Sequence, residues 1–136
     1  MTEIADFPCV CVAVRKASRR LTSLYDAAVA PAGINVAQFS LLKAIRRHGP
    51  LSLTRLSDIV ELDRSTLGRN VRVIERLGLV QLEPGADQRE ARVQLSDEGE
   101  ATLERAMPLW RATQQRIHDR LGAERAAELT ALLSAL

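Results

Sequence analysis

A mainly α fold carrying one small β-wing is what this sequence predicts, and three observations predict it. Apolar residues recur at helical spacing over most of the 136 positions. Two helical stretches in the middle of the chain are joined by Glu61-Leu62-Asp63, a link of about three residues. Two short β-type runs then face each other across Pro84-Gly85-Ala86-Asp87, a polar hairpin tip.

Each element has its own signals. Val10, Val14, Ala17, Leu21 and Leu24 form one stripe, with Arg15, Arg19 and Asp26 elsewhere on the wheel, and Pro31-Ala32-Gly33 closes that helix. Asn35-Val36-Ala37-Gln38 fits a capping box, opening a second helix through Phe39, Leu42 and Ile45 that Gly49 and Pro50 stop. Ser52 is placed to cap a third helix, expected to bury Leu53, Leu56, Ile59 and Val60. Asp63 is placed to cap a fourth, with Leu67, Val71, Ile74 and Leu77 on its inner face. Leu79-Val80-Gln81-Leu82 and Ala91-Arg92-Val93-Gln94-Leu95 read as the two strands. Helix, turn, helix and hairpin in that order make a winged helix-turn-helix over residues 51–96.

Ser96, followed by Asp97, Glu98 and Glu100, opens a long helix, because acidic groups suit the positive end of its dipole. Leu103, Met107, Trp110, Ile117 and Leu121 form its stripe, and Pro108 is expected to kink it. Such a helix is about 39 Å long, more than a small lobe covers. Gly122 ends it, and residues 124–136 form a last helix with Leu129, Leu132, Leu133 and Leu136 on one side. Residues 8–33 and 97–136 therefore carry apolar surface that the middle lobe cannot bury, and are expected to form a homodimerisation region.

Charge narrows the function classes. Residues 1–42 hold four basic and three acidic side chains, 43–96 ten and seven, and 97–136 five and seven, so the middle third is the positive one. Of the 19 basic residues 17 are arginine, the side chain suited to bidentate contacts with phosphate and guanine. Four aromatic residues are too few for an RNA-stacking surface. There is no apolar run of membrane-spanning length and no Gly-rich phosphate loop, and the serines have no marked histidine partner. The expectation is a cytoplasmic non-enzyme with no cofactor and no membrane contact, its cysteines reduced.

On a helix starting at Arg64, Ser65, Arg69, Arg72 and Arg76 fall opposite the Leu67/Val71/Ile74 stripe. The first part of the second helix of such a motif enters the major groove of double-stranded DNA, which nominates Arg64, Ser65, Thr66, Arg69 and Asn70 for base or phosphate contacts. Arg72 is nominated with them, more for phosphate. Winged helices also serve as protein-interaction modules without DNA, and that reading stays open beside this one.

Three further stretches occur in order and at compatible spacing: Glu75-Arg76-Leu77-Gly78-Leu79-Val80, Asp87-Gln88-Arg89 and Leu95-Ser96-Asp97-Glu98-Gly99. Together they resemble the signature of the MarR family of transcriptional regulators, with Ile74 standing where that family usually has leucine. The resemblance implies a triangular homodimer, commonly a repressor, reading a pseudo-palindrome whose half-sites lie about one helical turn apart. It also implies a wing arginine in the minor groove, here Arg89, braced by Asp87. Such regulators release DNA when a small molecule or an oxidant alters the spacing of the two lobes, so an effector of unknown identity is expected.

The sensing candidates are Cys9, Cys11 and Tyr25. In the organic-hydroperoxide-sensing branch of the family a reactive cysteine matches Cys11 and a tyrosine matches Tyr25, whereas Arg15 and Val36 replace further tyrosines. A C-x-C pair also suits a soft metal or arsenite if a dimer supplies more ligands. The remaining reading makes both cysteines small buried hydrophobes. Alternatively, Arg15, Arg19, His48 and Trp110 would line a conventional effector cavity.

Overall fold

The computed structural model describes residues 1–85 and 91–136. Its elements are α1 (Val10–Val29), α2 (Val36–His48), β1 (Leu51–Ser52), α3 (Leu53–Val60), α4 (Arg64–Arg76), β2 (Val80–Glu83), β3 (Arg92–Leu95), α5 (Asp97–Leu121) and α6 (Ala123–Ser134). Single 3-10 turns cover Ile4–Asp6 and Ala30–Ala32.

Side-chain caps set most of the helix starts, since each supplies an acceptor to an otherwise unpaired N–H. Asn35 Oδ1 accepts from the Gln38 N–H at 2.8 Å while Gln38 Oε1 accepts from the Asn35 N–H at 2.9 Å, the expected reciprocal box. Ser52 Oγ accepts from the Arg55 N–H at 3.1 Å, and Asp63 Oδ1 from the Thr66 N–H at 2.8 Å. Ser96 Oγ accepts from the Gly99 N–H at 3.0 Å.

The strands pair antiparallel in the order β1-β3-β2, with Leu82 and Leu51 flanking the fully buried Val93. Sequence periodicity anticipated two strands and missed β1, because two residues carry no period; β1 exists through its pairing with β3. The strands also lie at 80–83 and 92–95, not 79–82 and 91–95. Leu79 is diverted: its N–H donates to Ile74 O at 2.9 Å and its carbonyl accepts from the Ser96 N–H at 3.0 Å.

One core joins the helices to this sheet, with Phe39, Leu42, Leu56, Leu67, Ile74 and Leu103 all almost wholly buried. Two side chains expected inside lie outside. Ile59 is 37% exposed, because Leu56 and Ser57 already fill the inner face of the short α3. Leu77 is 50% exposed, because the chain reverses at Gly78 (φ 78°) and Leu79 takes the inner place. Helix α5 runs unbroken from Asp97 to Leu121 with Pro108 inside it.

Gly99 sits where α5 meets the end of α4. A Cβ built there would lie 1.9 Å from the Leu79 carbonyl oxygen, so only glycine allows this approach. Ser96 completes the joint by donating from Oγ to the Gly78 carbonyl at 2.5 Å.

The terminal helices are far less covered. Of the 20 residues of α1 only Val29 is buried, and of the 12 of α6 only Ala126. No single helix among the described residues is long and apolar enough to cross a membrane.

Candidate nucleic-acid interface

The joint between α3 and α4 is held by three local devices. Glu61 adopts the left-handed conformation (φ 54°) that ends α3, the Ser57 hydroxyl donates to the Leu62 carbonyl at 2.7 Å, and Asp63 caps α4. On the inner face of α4, Leu67, Val71 and Ile74 are buried. Each such burial contributes about 2 kcal/mol, which outweighs the cost of about 1 kcal/mol for Gly68 inside the helix. Sequence amphipathicity alone thus fixes which face α4 turns outward.

On that outward face Arg64, Ser65, Arg69, Arg72 and Arg76 are exposed and Thr66 is half-buried. Val73, 37% exposed, lies off that face and lines a cleft together with Asn70. Asn70 is placed differently. It is half-buried and lines a cleft of about 260 Å³ with Asn35, Gln38 and Leu41, on the flank of α4 turned toward the start of α2. Asp87 and Arg89 lie outside the described residues.

Asp63 does more than the single capping bond expected of it. Its Oδ1 accepts from the Thr66 N–H and from the Ser65 hydroxyl, both at 2.8 Å, and its Oδ2 accepts from the Thr66 hydroxyl at 2.9 Å. These bonds hold the Asp63 pKa down from 3.8 to about 2: the Thr66 N–H is the largest cause, then the two hydroxyls, with a smaller contribution from the Arg69 charge. Arg69 Nη2 also donates to Thr66 Oγ1 at 3.3 Å, so the network spans the first two turns of α4. Asp followed by Ser and Thr at the second and third helical positions was the available sequence signal for this cluster.

The wing has a brace that the sequence did not announce. Arg92, on β3, donates from Nη2 to the Pro50 carbonyl at 2.9 Å, and the Leu53 N–H donates to the Ala91 carbonyl at 3.1 Å. Both bonds tie the wing to the start of α3.

The sensing candidates are not brought together in one chain. Cys9 and Cys11 are exposed at the start of α1 in the single chain, so the reading that makes them buried hydrophobes requires a second copy to cover them. Tyr25 is 14 residues along the same helix from Cys11, about 21 Å at the α-helical rise. Its hydroxyl donates to Gln114 Oε1 of α5, and burial pushes its pKa up. Among the described residues no three of His, Cys, Asp and Glu gather as metal ligands.

None of the cavities described among these residues is lined by Arg15, Arg19, His48 or Trp110. Trp110 stacks on Phe39 at 5.5 Å between ring centroids, with Lys43 Nζ 4.2 Å above its ring. His48 is exposed at the last position of α2, before the Gly49 cap. A cavity of about 590 Å³ is instead an apolar groove between α1 and α6, walled by Val14, Ala17, Leu21, Leu129 and Leu133, with Tyr25 and Val36 at its side.

Comparison with known proteins places this arrangement. A model of the MarR family matches residues 32–90, from the turn before α2 into the wing. The Mycobacterium tuberculosis transcriptional regulator MosR, in a crystal structure with DNA, is 35% identical, with a TM-score of 0.82 over 94% of this chain and 96% of that one. The chain belongs to the MarR family. The HTH-type transcriptional repressor NicR of Pseudomonas putida is 32% identical over 96 residues, which cover 70% of this chain and 61% of NicR. The match thus spans less than two thirds of that repressor. A mutant MarR from Escherichia coli complexed with operator DNA shares the MarR fold at 24% identity, with a TM-score of 0.83 over 93% of this chain and 91% of that one.

Proposed function

We propose that this MarR-family chain is a cytoplasmic, sequence-specific DNA-binding transcriptional regulator, acting as a repressor. It binds pseudo-palindromic operator DNA as a homodimer and is released by a small-molecule or oxidant effector. The observation that carries the reading is the outward face of α4, where Arg64, Arg69, Arg72 and Arg76 stand exposed beside a capped first turn with their apolar opposite face fully packed. A helix presented in this way fits the major groove. MosR, 35% identical over nearly its whole length, was crystallised in complex with DNA. Arg64, Ser65, Thr66, Arg69 and Arg72 are the proposed contacts within the described part of the lobe, Asn70 contributing from its flank. Arg89, with Asp87, is the proposed minor-groove contact of the wing.

The proposed dimer rests on residues 8–33 and 97–136. Val10, Val14, Leu21, Leu129, Leu132 and Leu133 are all at least 38% exposed in the single chain, a concentration of apolar surface that a second copy would cover. Thiol-based sensing of an oxidant or metalloid is a second reading, favoured by the exposure of both Cys9 and Cys11 at the start of α1 in the single chain.

Selection from a pool of random duplexes tests the main reading: the wild-type protein is expected to enrich an inverted repeat. Arg72→Ala should weaken binding to the enriched duplex at every sequence alike and reduce the slope of log K against log salt by about one. Failure to enrich any motif would remove sequence-specific reading and favour the protein-interaction alternative.

A further inference from the structure

We propose that Asp63 is a specificity-determining positioning residue: it takes the only protons of the Ser65 and Thr66 hydroxyls, leaving both side chains as pure acceptors on the DNA-facing helix. The inference rests on the reading of α4 as the DNA-reading helix and goes beyond it to the type of base edge these residues accept.

The hydrogen bonds fix the polarity. A hydroxyl has one proton and two lone pairs, whereas an ionised carboxylate accepts only. The Ser65 hydroxyl lies 2.8 Å from Asp63 Oδ1 and the Thr66 hydroxyl 2.9 Å from Oδ2, so both protons point inward at the carboxylate. The low pKa of Asp63 keeps that carboxylate ionised at any pH where a folded protein binds DNA. Thr66 Oγ1 also receives Arg69 Nη2 at 3.3 Å, which leaves Thr66 one outward lone pair and Ser65 two.

The consequence for recognition is chemical. Phosphate oxygens, guanine N7 and O6, adenine N7 and thymine O4 are acceptors, and an acceptor facing an acceptor gains nothing. The exocyclic amino groups of adenine N6 and cytosine N4 are the major-groove donors. Ser65 and Thr66 are therefore suited to adenine or cytosine edges and unsuited to the backbone. Donation falls to the arginines, Arg64, Arg69 and Arg72, so donors and acceptors are sorted by residue along one face. Without Asp63 each hydroxyl would rotate to suit either kind of partner and would discriminate little.

Asp63→Asn separates this role from simple capping, because asparagine is an equally good N-cap. Its oxygen still accepts from the Thr66 N–H and from Ser65, but its amide N–H₂ replaces the oxygen that faces Thr66. The amide then donates to Thr66 Oγ1 and the Thr66 proton turns outward. The experiment is selection from a pool of random duplexes of about 30 base pairs, long enough for two half-sites a helical turn apart, run with wild type, Asp63→Asn and Thr66→Ala. The wild type should enrich adenine or cytosine at the half-site position read by Thr66. Asp63→Asn should turn that position against cytosine and admit guanine or thymine, by about three- to tenfold in affinity, with the rest of the motif retained. Thr66→Ala should erase the preference at the same position alone, and it supplies the answer if Asp63→Asn loses its helical circular dichroism. Wild-type selection of a motif that Thr66→Ala leaves unchanged at every position overturns the inference while leaving DNA reading intact, as does a folded Asp63→Asn protein with an unchanged motif. Wild-type selection of no motif overturns the underlying reading instead.

Discussion

Helices α4 and α1 differ in what each leaves exposed. The 13-residue α4 buries Leu67, Val71 and Ile74 within its own chain and turns arginines outward. The 20-residue α1 buries only Val29 and leaves Val10, Val12, Val14 and Leu21 in the open. An exposed cationic face needs no protein partner, since water solvates it until an anion arrives. An exposed apolar stripe is unfinished, and burying it supplies the free energy of association. The middle lobe is thus complete in one chain, while the terminal helices require something more.

Four perturbations break or sharpen that contrast. The largest effect is expected at the joint between the two regions. Gly99→Ala drives a Cβ to 1.9 Å from the Leu79 carbonyl oxygen, and should cost about 3 kcal/mol in urea unfolding. A loss below 1 kcal/mol would mean that α5 is free to shift away from the lobe. Next, Leu133→Glu places a charge in the groove between α1 and α6 and should weaken self-association by about 2 kcal/mol, read by sedimentation equilibrium. Near-native far-UV circular dichroism should persist, because the lobe does not depend on α6.

A smaller, pH-dependent effect belongs to Asp63. Its folded pKa is depressed to about 2 from 3.8, so its stabilising contribution is complete above pH 3.8 and is lost as pH falls from there toward 2. Stability measured across that window should fall more steeply for wild type than for Asp63→Asn, and parallel curves would refute the assignment. The smallest effect is at Glu61, whose φ of 54° strains a non-glycine residue. Glu61→Gly relieves that strain but adds unfolded-state entropy, for a net stabilisation of about 0.5 kcal/mol.

The legible parts of the sequence were those in which local chemistry and period agree. The caps at Asn35, Ser52 and Asp63 follow from residue type and all form, whereas the Ser96 cap is an addition to the acidic first turn that marks the start of α5. Ile59 and Leu77 lie outside their expected places because helical period reports which residues share a side, not where a short helix stops packing. Strand β1 was invisible because Leu51 and Ser52 pair only with residues about 40 positions away. For the candidate site, the outward arginines followed directly from amphipathicity. The Asp63 cluster was only half legible: the cap was expected, but the two hydroxyl bonds depend on rotamers that no spacing rule encodes. Trp110, expected beside Arg15, Arg19 and His48 in a cavity, packs on Phe39 and beneath Lys43 within the single chain, contacts between α2 and α5 that no spacing rule encodes.

The joint at Gly78, Leu79, Ser96 and Gly99 has a geometric consequence. It fastens the start of a 25-residue helix to the exit of α4 through two hydrogen bonds and a backbone contact too close for any side chain. A rod of that length measures about 37 Å, so a tilt of about 5° at the joint carries its far end through about 3 Å. Run in the opposite sense, a displacement of about 3 Å at Leu121 turns the lobe fastened at the joint by the same small angle of about 5°.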